Sequence, residues 1–136
     1  MAELEIVQYL VSPADSVWAM VGDFGGLHRW HPQVRGTDLS WEGRIRTVHY
    51  FDGTRAVERL EARSDAFKRY MYVVVDGRLP IDNCRSTLQV RQSGTGSTVI
   101  WSCEFEPLGD GESSAVDSLR TLYYEGLAGL ILALDC

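Results

Sequence analysis

Residues 3–11 alternate imperfectly between polar and apolar positions and are rich in β-branched and aromatic side chains, the pattern of a strand. The pattern stops at Ser12-Pro13. Ser12 is a favourable N-cap, Pro13 suits a first helical position, and Asp15 sits where a carboxylate meets first-turn amides. Val17, Val21 and Phe24 then recur at helical spacing with Trp18 beside them, and the glycines of residues 23–26 end this short helix. One further turn fits residues 27–30, closed by Pro32.

From residue 35 to residue 107 the pattern changes to strands and turns. Residues 39–41, 44–51, 55–63, 68–75, 84–91 and 98–105 carry strand-type side chains. Turn formers separate them: Glu42-Gly43, Asp52-Gly53, Ser64-Asp65, Asp76-Gly77 and residues 94–96. Loops this short force neighbouring strands to pair antiparallel. The connection at residues 78–82 is longer and should bend the sheet.

The C-terminal segment reads as a long amphipathic helix. Ser114 with Asp117 three residues later resembles a capping box with Asp in place of Glu. Val116, Leu119, Tyr123, Gly126, Leu127, Leu130 and Leu134 form one wide apolar face, on which Gly126 and Gly129 leave room. The expected fold is α+β: a curved seven-stranded antiparallel sheet wrapped around a long C-terminal helix, with two short helices between the first and second strands. Residues 1–136 form one domain. Space that side chains leave between sheet and helix becomes a pocket.

Composition narrows the partners. The net charge is −6, without the basic footprint of a nucleic-acid binder. No apolar run reaches the roughly 18 residues of a membrane span, so no membrane insertion is expected. The start is acidic where a signal peptide is basic. Cys84, Cys103 and Cys136 form an odd set without close spacing, which fits a reducing cytoplasm better than a disulfide scaffold. A monomer or homodimer is expected.

Several motifs in order carry a family resemblance. They are VWAMVGDFGGLHRWHP at residues 17–32, Gly43-x-x-Arg46, Asp52-Gly53 followed by Glu58-Arg59-Leu60, Tyr70-x-Tyr72, Leu79-Pro80, Ser86-Thr87-Leu88 and Trp101. Over nearly its whole length the chain resembles small bacterial proteins of the SRPBCC superfamily. That group holds START lipid-transfer domains, birch-pollen-allergen relatives and polyketide cyclase/dehydrases. The resemblance implies a helix-grip fold with an internal cavity, and it leaves function open among cyclases, dehydratases, hydrolases, carriers and receptors. Where relatives often carry a tyrosine after the Leu-Pro loop, this chain has Asn83-Cys84.

Strand alternation proposes who faces the cavity. Ala56, Glu58, Leu60 and Ala62 share the more apolar face of their strand, so Glu58 points inward. A carboxylate there is costly unless paired, and Arg46 one strand earlier is a candidate partner, although both faces of its strand mix apolar and polar residues. Glu58 then serves either as a general acid/base with a burial-shifted pKa or as half of a structural ion pair. Tyr70 and Tyr72 alternate onto one face, as hydrogen-bond donors to a ligand carbonyl or as wall residues with a polar tip. The catalytic candidates are therefore Glu58, Arg46, Tyr70 and Tyr72.

Leu60, Ser86, Trp101, Leu119, Tyr123 and Leu127 are expected in the ligand-binding wall, together with Cys84 and Cys103 as small hydrophobes. Trp30 and His31 are expected at the rim, gating the pocket or meeting a polar end of the ligand; Trp30 can equally staple the short helices to the sheet. His28 and His31, with no third ligand at suitable spacing, do not read as a metal site. Gly22 to Gly26 lacks the Lys-Ser/Thr of a phosphate loop, and no Gly-x-Ser-x-Gly elbow is present. Two functions remain. One is cofactor-free cyclisation, dehydration or isomerisation of a polyketide-like or aromatic molecule; the other is carriage or sensing of a lipid-like or aromatic ligand.

Overall fold

The computed structural model describes residues 2–77, 79–108 and 112–135, the side chains of residues 112, 113 and 135 excepted. Arg78 of the expected bend and the third cysteine, Cys136, lie outside the described residues. The chain runs β1 (Ala2–Leu10), α1 (Ala14–Val21), a 3-10 turn (Leu27–Arg29), β2 (Val34–Ser40), β3 (Ile45–Tyr50), β4 (Arg55–Ser64), β5 (Arg69–Asp76), β6 (Ile81–Ser93), β7 (Gly96–Pro107) and α2 (Glu112–Asp135). All strands join one antiparallel sheet in the order β1-β7-β6-β5-β4-β3-β2, a meander from β2 to β7 with β1 returning beside β7. The sheet curves around α2, the helix-grip arrangement expected from the sequence.

Period-two alternation sets the inner face. Along β7 it holds Val99, Trp101, Cys103 and Phe105, and along β6 Cys84, Ser86, Leu88 and Val90, all buried. Arg46, Val48 and Tyr50 are the buried set of β3, which settles the face that the mixed pattern of that strand left open. The buried stripe of α2 is Ala115, Leu119, Tyr123, Leu127 and Leu130; Val116 and Leu134 are only half-buried at its margins. α2 packs on β1 and β7, and α1 on β6 and β7.

Two end signals act differently from expectation. Pro13, not Ser12, stands at the N-cap of α1, and no side chain of that residue caps the helix. The Ala14 amide instead donates to Oε1 of Gln92 on β6 at 2.9 Å, while the Ser12 carbonyl accepts from Ser97 Oγ at 2.9 Å. A first-turn amide needs an acceptor, and here the sheet supplies it. α2 begins at Glu112, so Ser114 lies within its first turn and is not the cap. The bend after β5 arises inside β6: the strand starts at Ile81, and a register shift between Asp82 and Arg85 places Asn83 at φ 51°.

Candidate functional site

A cavity of about 280 Å³ lies between the inner faces of β3 to β6 and the first half of α2. Tyr50, Ala56, Glu58, Tyr72, Cys84 and Ser86 form its sheet side, and Leu119, Leu122 and Tyr123 its helix side. The mouth lies where the connection between β5 and β6 meets the chain leaving β7; Asp76, Leu79, Asp82 and Leu108 surround it. A hydrogen bond from the Leu108 amide to the Pro80 carbonyl at 2.9 Å joins the two sides.

Glu58 and Arg46 stand directly opposite each other on β4 and β3. Nε of Arg46 donates to Oε1 of Glu58 at 2.7 Å in a pair almost wholly removed from solvent. The guanidinium also donates through NH1 to the Phe24 carbonyl at 3.1 Å. It stacks 4.1 Å from the Phe24 ring centroid and 4.7 Å from that of Tyr72. Burial by itself lowers the Arg46 pKa, but the opposing pull of Glu58, aided by Tyr70 and Tyr72, holds it above the ordinary arginine value. Arg46 is therefore a fixed cation behind the cavity wall. Glu58 itself lines the cavity, and its Oε2 accepts no hydrogen bond from any described residue.

The phenols are paired along the wall. Trp101 Nε1 donates to the Tyr72 hydroxyl at 3.2 Å. The Tyr123 hydroxyl and Ser86 Oγ lie 3.0 Å apart, and the Tyr123 ring stacks on Trp101 with centroids 4.1 Å apart. Burial pushes the phenols of Tyr70, Tyr72 and Tyr123 up, because a phenolate there would lose its hydration. Tyr70 does not reach the cavity. It packs edge-on to Phe24 and beside Trp18 under α1.

Several expected wall or rim residues belong to the packing instead. Leu60 does not line the cavity: it keeps its place opposite Tyr72, but β4 bulges at Glu61 just beyond it, and the half-buried Leu60 borders a surface hollow beside Trp41 and Ile45. Ala62 is exposed. Trp101, stacked on Tyr123, is buried, as are Leu127 and Cys103, and none of them is at the cavity surface. Trp30 and His31 are buried too, away from the mouth. The Gln33 amide donates to His31 Nδ1 at 3.2 Å, which leaves Nε2 as the protonated nitrogen, donating to the Leu122 carbonyl at 2.8 Å. His31 is thus a clasp between the segment before β2 and α2, and Trp30 packs edge-on to Trp101 at 5.6 Å.

Cys84 lines the cavity, with Sγ 3.8 Å from Ser86 Oγ. A hydrogen bond shared with Cys103, together with burial, pushes the Cys84 thiol up, away from nucleophilic thiolate character. No group of three or more metal-ligating side chains occurs among the described residues, and no described helix is long and apolar enough to cross a membrane.

Sequence reasoning missed Tyr50, Leu122 and the mouth residues. Tyr50 was reachable by counting two and four residues along β3 from Arg46, once the Arg46–Glu58 pair fixed the face. Leu79, Asp82 and Leu108 lie at turns and strand ends, where no period marks an inward direction.

The site can be set beside known proteins. No curated protein matches the chain. Among solved structures, XoxI from Bacillus cereus is 29% identical with a TM-score of 0.95, over 98% of this chain and 96% of that one. A protein of Thermobifida fusca solved by NMR is 31% identical with a TM-score of 0.81, over 96% of this chain and 91% of that one. The Zhui aromatase/cyclase from Streptomyces sp. R1128 shares the fold with a TM-score of 0.76 at 15% identity, over 98% of this chain and 90% of that one. A family model described as polyketide cyclase / dehydrase and lipid transport matches residues 1–133. With that match over nearly every residue, and a sheet that grips a long helix around a cavity, the chain belongs to the polyketide cyclase / dehydrase and lipid transport family.

Proposed function

We propose that the chain binds one small, mostly apolar or aromatic molecule in this cavity and promotes its cyclisation, dehydration or isomerisation without a cofactor. One observation carries the reading: Glu58, a buried carboxylate on the wall of a cavity of mixed apolar and polar lining, has one oxygen held by Arg46 and no described donor to the other. Arg46 fixes the orientation of the carboxylate, so Oε2 can take a proton from one atom of a bound molecule and return it to another. Confinement supplies the rest, by holding the molecule in a reactive conformer away from water. The family description covers both cyclase/dehydrase chemistry and lipid transport, and so supports a cavity that is used.

Carriage is the second reading, favoured by the mutual pairing of the Tyr72, Trp101, Ser86 and Tyr123 polar groups, which leaves few free for chemistry. Native mass spectrometry of the purified protein separates the two. Both readings expect one small molecule per chain. The enzyme releases it with altered connectivity or mass, and Glu58→Gln abolishes that conversion while binding survives; a carrier returns the molecule unaltered. Conversion undiminished in Glu58→Gln would remove the proton-transfer role.

A further inference from the structure

The charge distribution around the cavity limits what can enter, beyond the size and apolarity already described. Glu58, Asp76 and Asp82 all border it, whereas no Lys, Arg or His side chain does among the described residues. The nearest cation among the described residues, Arg46, is 1% exposed and spends its guanidinium on Glu58 and the Phe24 carbonyl, so it cannot reach a ligand without breaking both contacts. The open acceptor is Glu58 Oε2. The residue is 7% exposed, and no described group donates to that oxygen. A carboxylate oxygen at a cavity wall gives up its water when a ligand fills the cavity, and a ligand hydroxyl or ammonium replaces that hydration with a charge-assisted hydrogen bond. A ligand carboxylate or phosphate would instead meet the buried Glu58 carboxylate within and the exposed Asp76 and Asp82 at the mouth, with no available cation among the described residues. The volume, about 280 Å³, is at the small end of ligand cavities, which suits one or two rings and not a long acyl chain.

We propose that the cavity selects an uncharged or cationic one- or two-ring molecule whose hydroxyl or ammonium group donates to Glu58 Oε2, and that it rejects carboxylates and phosphates. The inference rests on the cavity being a binding site, as proposed above, and adds the polarity of its occupant. It also makes Glu58 a contact whether or not any reaction follows.

The test uses four naphthalenes with a single substituent at the same ring position: hydroxyl, aminomethyl, carboxylate or methyl. Each is titrated into the wild-type protein at neutral pH by calorimetry, with amide-resolved NMR to locate binding. The hydroxyl and aminomethyl probes are expected to bind at least about tenfold more tightly than the carboxylate and methyl probes, a difference one charge-assisted hydrogen bond can supply. Amide shifts should centre on Tyr72, Ser86 and Tyr123. The double variant Arg46→Met/Glu58→Leu replaces the ion pair by apolar side chains, an exchange that folded proteins often tolerate; in it the preference should disappear. Equal or tighter binding of the carboxylate probe overturns the proposal and leaves the cavity a binding site. Equal binding of the methyl probe, or a hydroxyl preference that persists in the double variant, removes Glu58 as the anchor. Failure of all four probes to bind overturns both this inference and the binding reading beneath it.

Discussion

The Tyr72 hydroxyl sits between two duties, accepting from Trp101 Nε1 at 3.2 Å and forming part of the cavity wall. Tyr72→Phe keeps the ring under Arg46 but leaves the indole N–H of a buried Trp101 without an acceptor. An orphaned buried donor costs about 1–2 kcal/mol, so the urea midpoint should fall accordingly, and an unchanged midpoint would show that the bond contributes nothing net. Residues of this kind were partly legible in the sequence. Glu58 was placed correctly because its neighbours at two-residue spacing make one face plainly more apolar. Arg46 could be offered as its partner, but its inward direction became definite only when pairing set it opposite Glu58. Leu60 follows Glu58 in unbroken alternation and still lies outside the cavity, next to a bulge at Glu61 that nothing in the composition of the strand marks. His31 was misplaced because its acceptor, the Leu122 carbonyl, lies 91 residues away.

At the scale of elements, the long helix shows how two weak helix formers can be required. A Cβ on Gly129 would lie 2.1 Å from the Trp30 carbonyl oxygen and 2.8 Å from Pro32 Cδ; one on Gly126 would lie 2.7 Å from His31 Cδ2. The pair forms a notch that receives residues 30–32, and this notch lets His31 reach the helix backbone. Helix propensity alone favours Gly129→Ala by about 1 kcal/mol. The clash is with backbone, which cannot rotate aside, so overpacking should win and destabilise the protein by about 1–3 kcal/mol. Chemical denaturation decides it: a raised midpoint in Gly129→Ala would mean that the Trp30 to Pro32 segment yields at little cost. Elements were the most legible level. Turn residues at short intervals and the three-and-four spacing of the last segment marked the seven strands and the long helix. Caps were not legible, since α1 takes its acceptor from Gln92, 78 residues beyond Ala14. Local sequence records a helix's own polar residues but not what the sheet will bring to its end.

For the whole molecule, the inner layer combines the buried cation of Arg46 with phenols that stay protonated. Tyr70, Tyr72 and Tyr123 each have a folded-state pKa above the ordinary tyrosine value of 10.0, chiefly through burial. The consequence for stability has a definite sign. A group whose pKa is raised by folding contributes stability that is fully present below its unfolded pKa, and that stability is lost as pH rises towards the folded value. Between about pH 10 and the raised values, unfolded chains release these protons while folded chains retain them. Each tyrosine then lowers the unfolding free energy by about 1.4 kcal/mol per pH unit, so three together exceed the net stability of many small domains within a few units. The urea midpoint should be nearly insensitive to these groups up to about pH 9 and then fall with increasing steepness. Tyr72→Phe removes one titrating group, so the part of the alkaline decline owed to these three tyrosines should fall by about a third, even though the variant starts from lower stability. Parallel alkaline slopes for wild type and Tyr72→Phe would show that the Tyr72 phenol ionises as readily in the folded protein as in the unfolded chain, and that the aromatic layer is wetter than its packing implies.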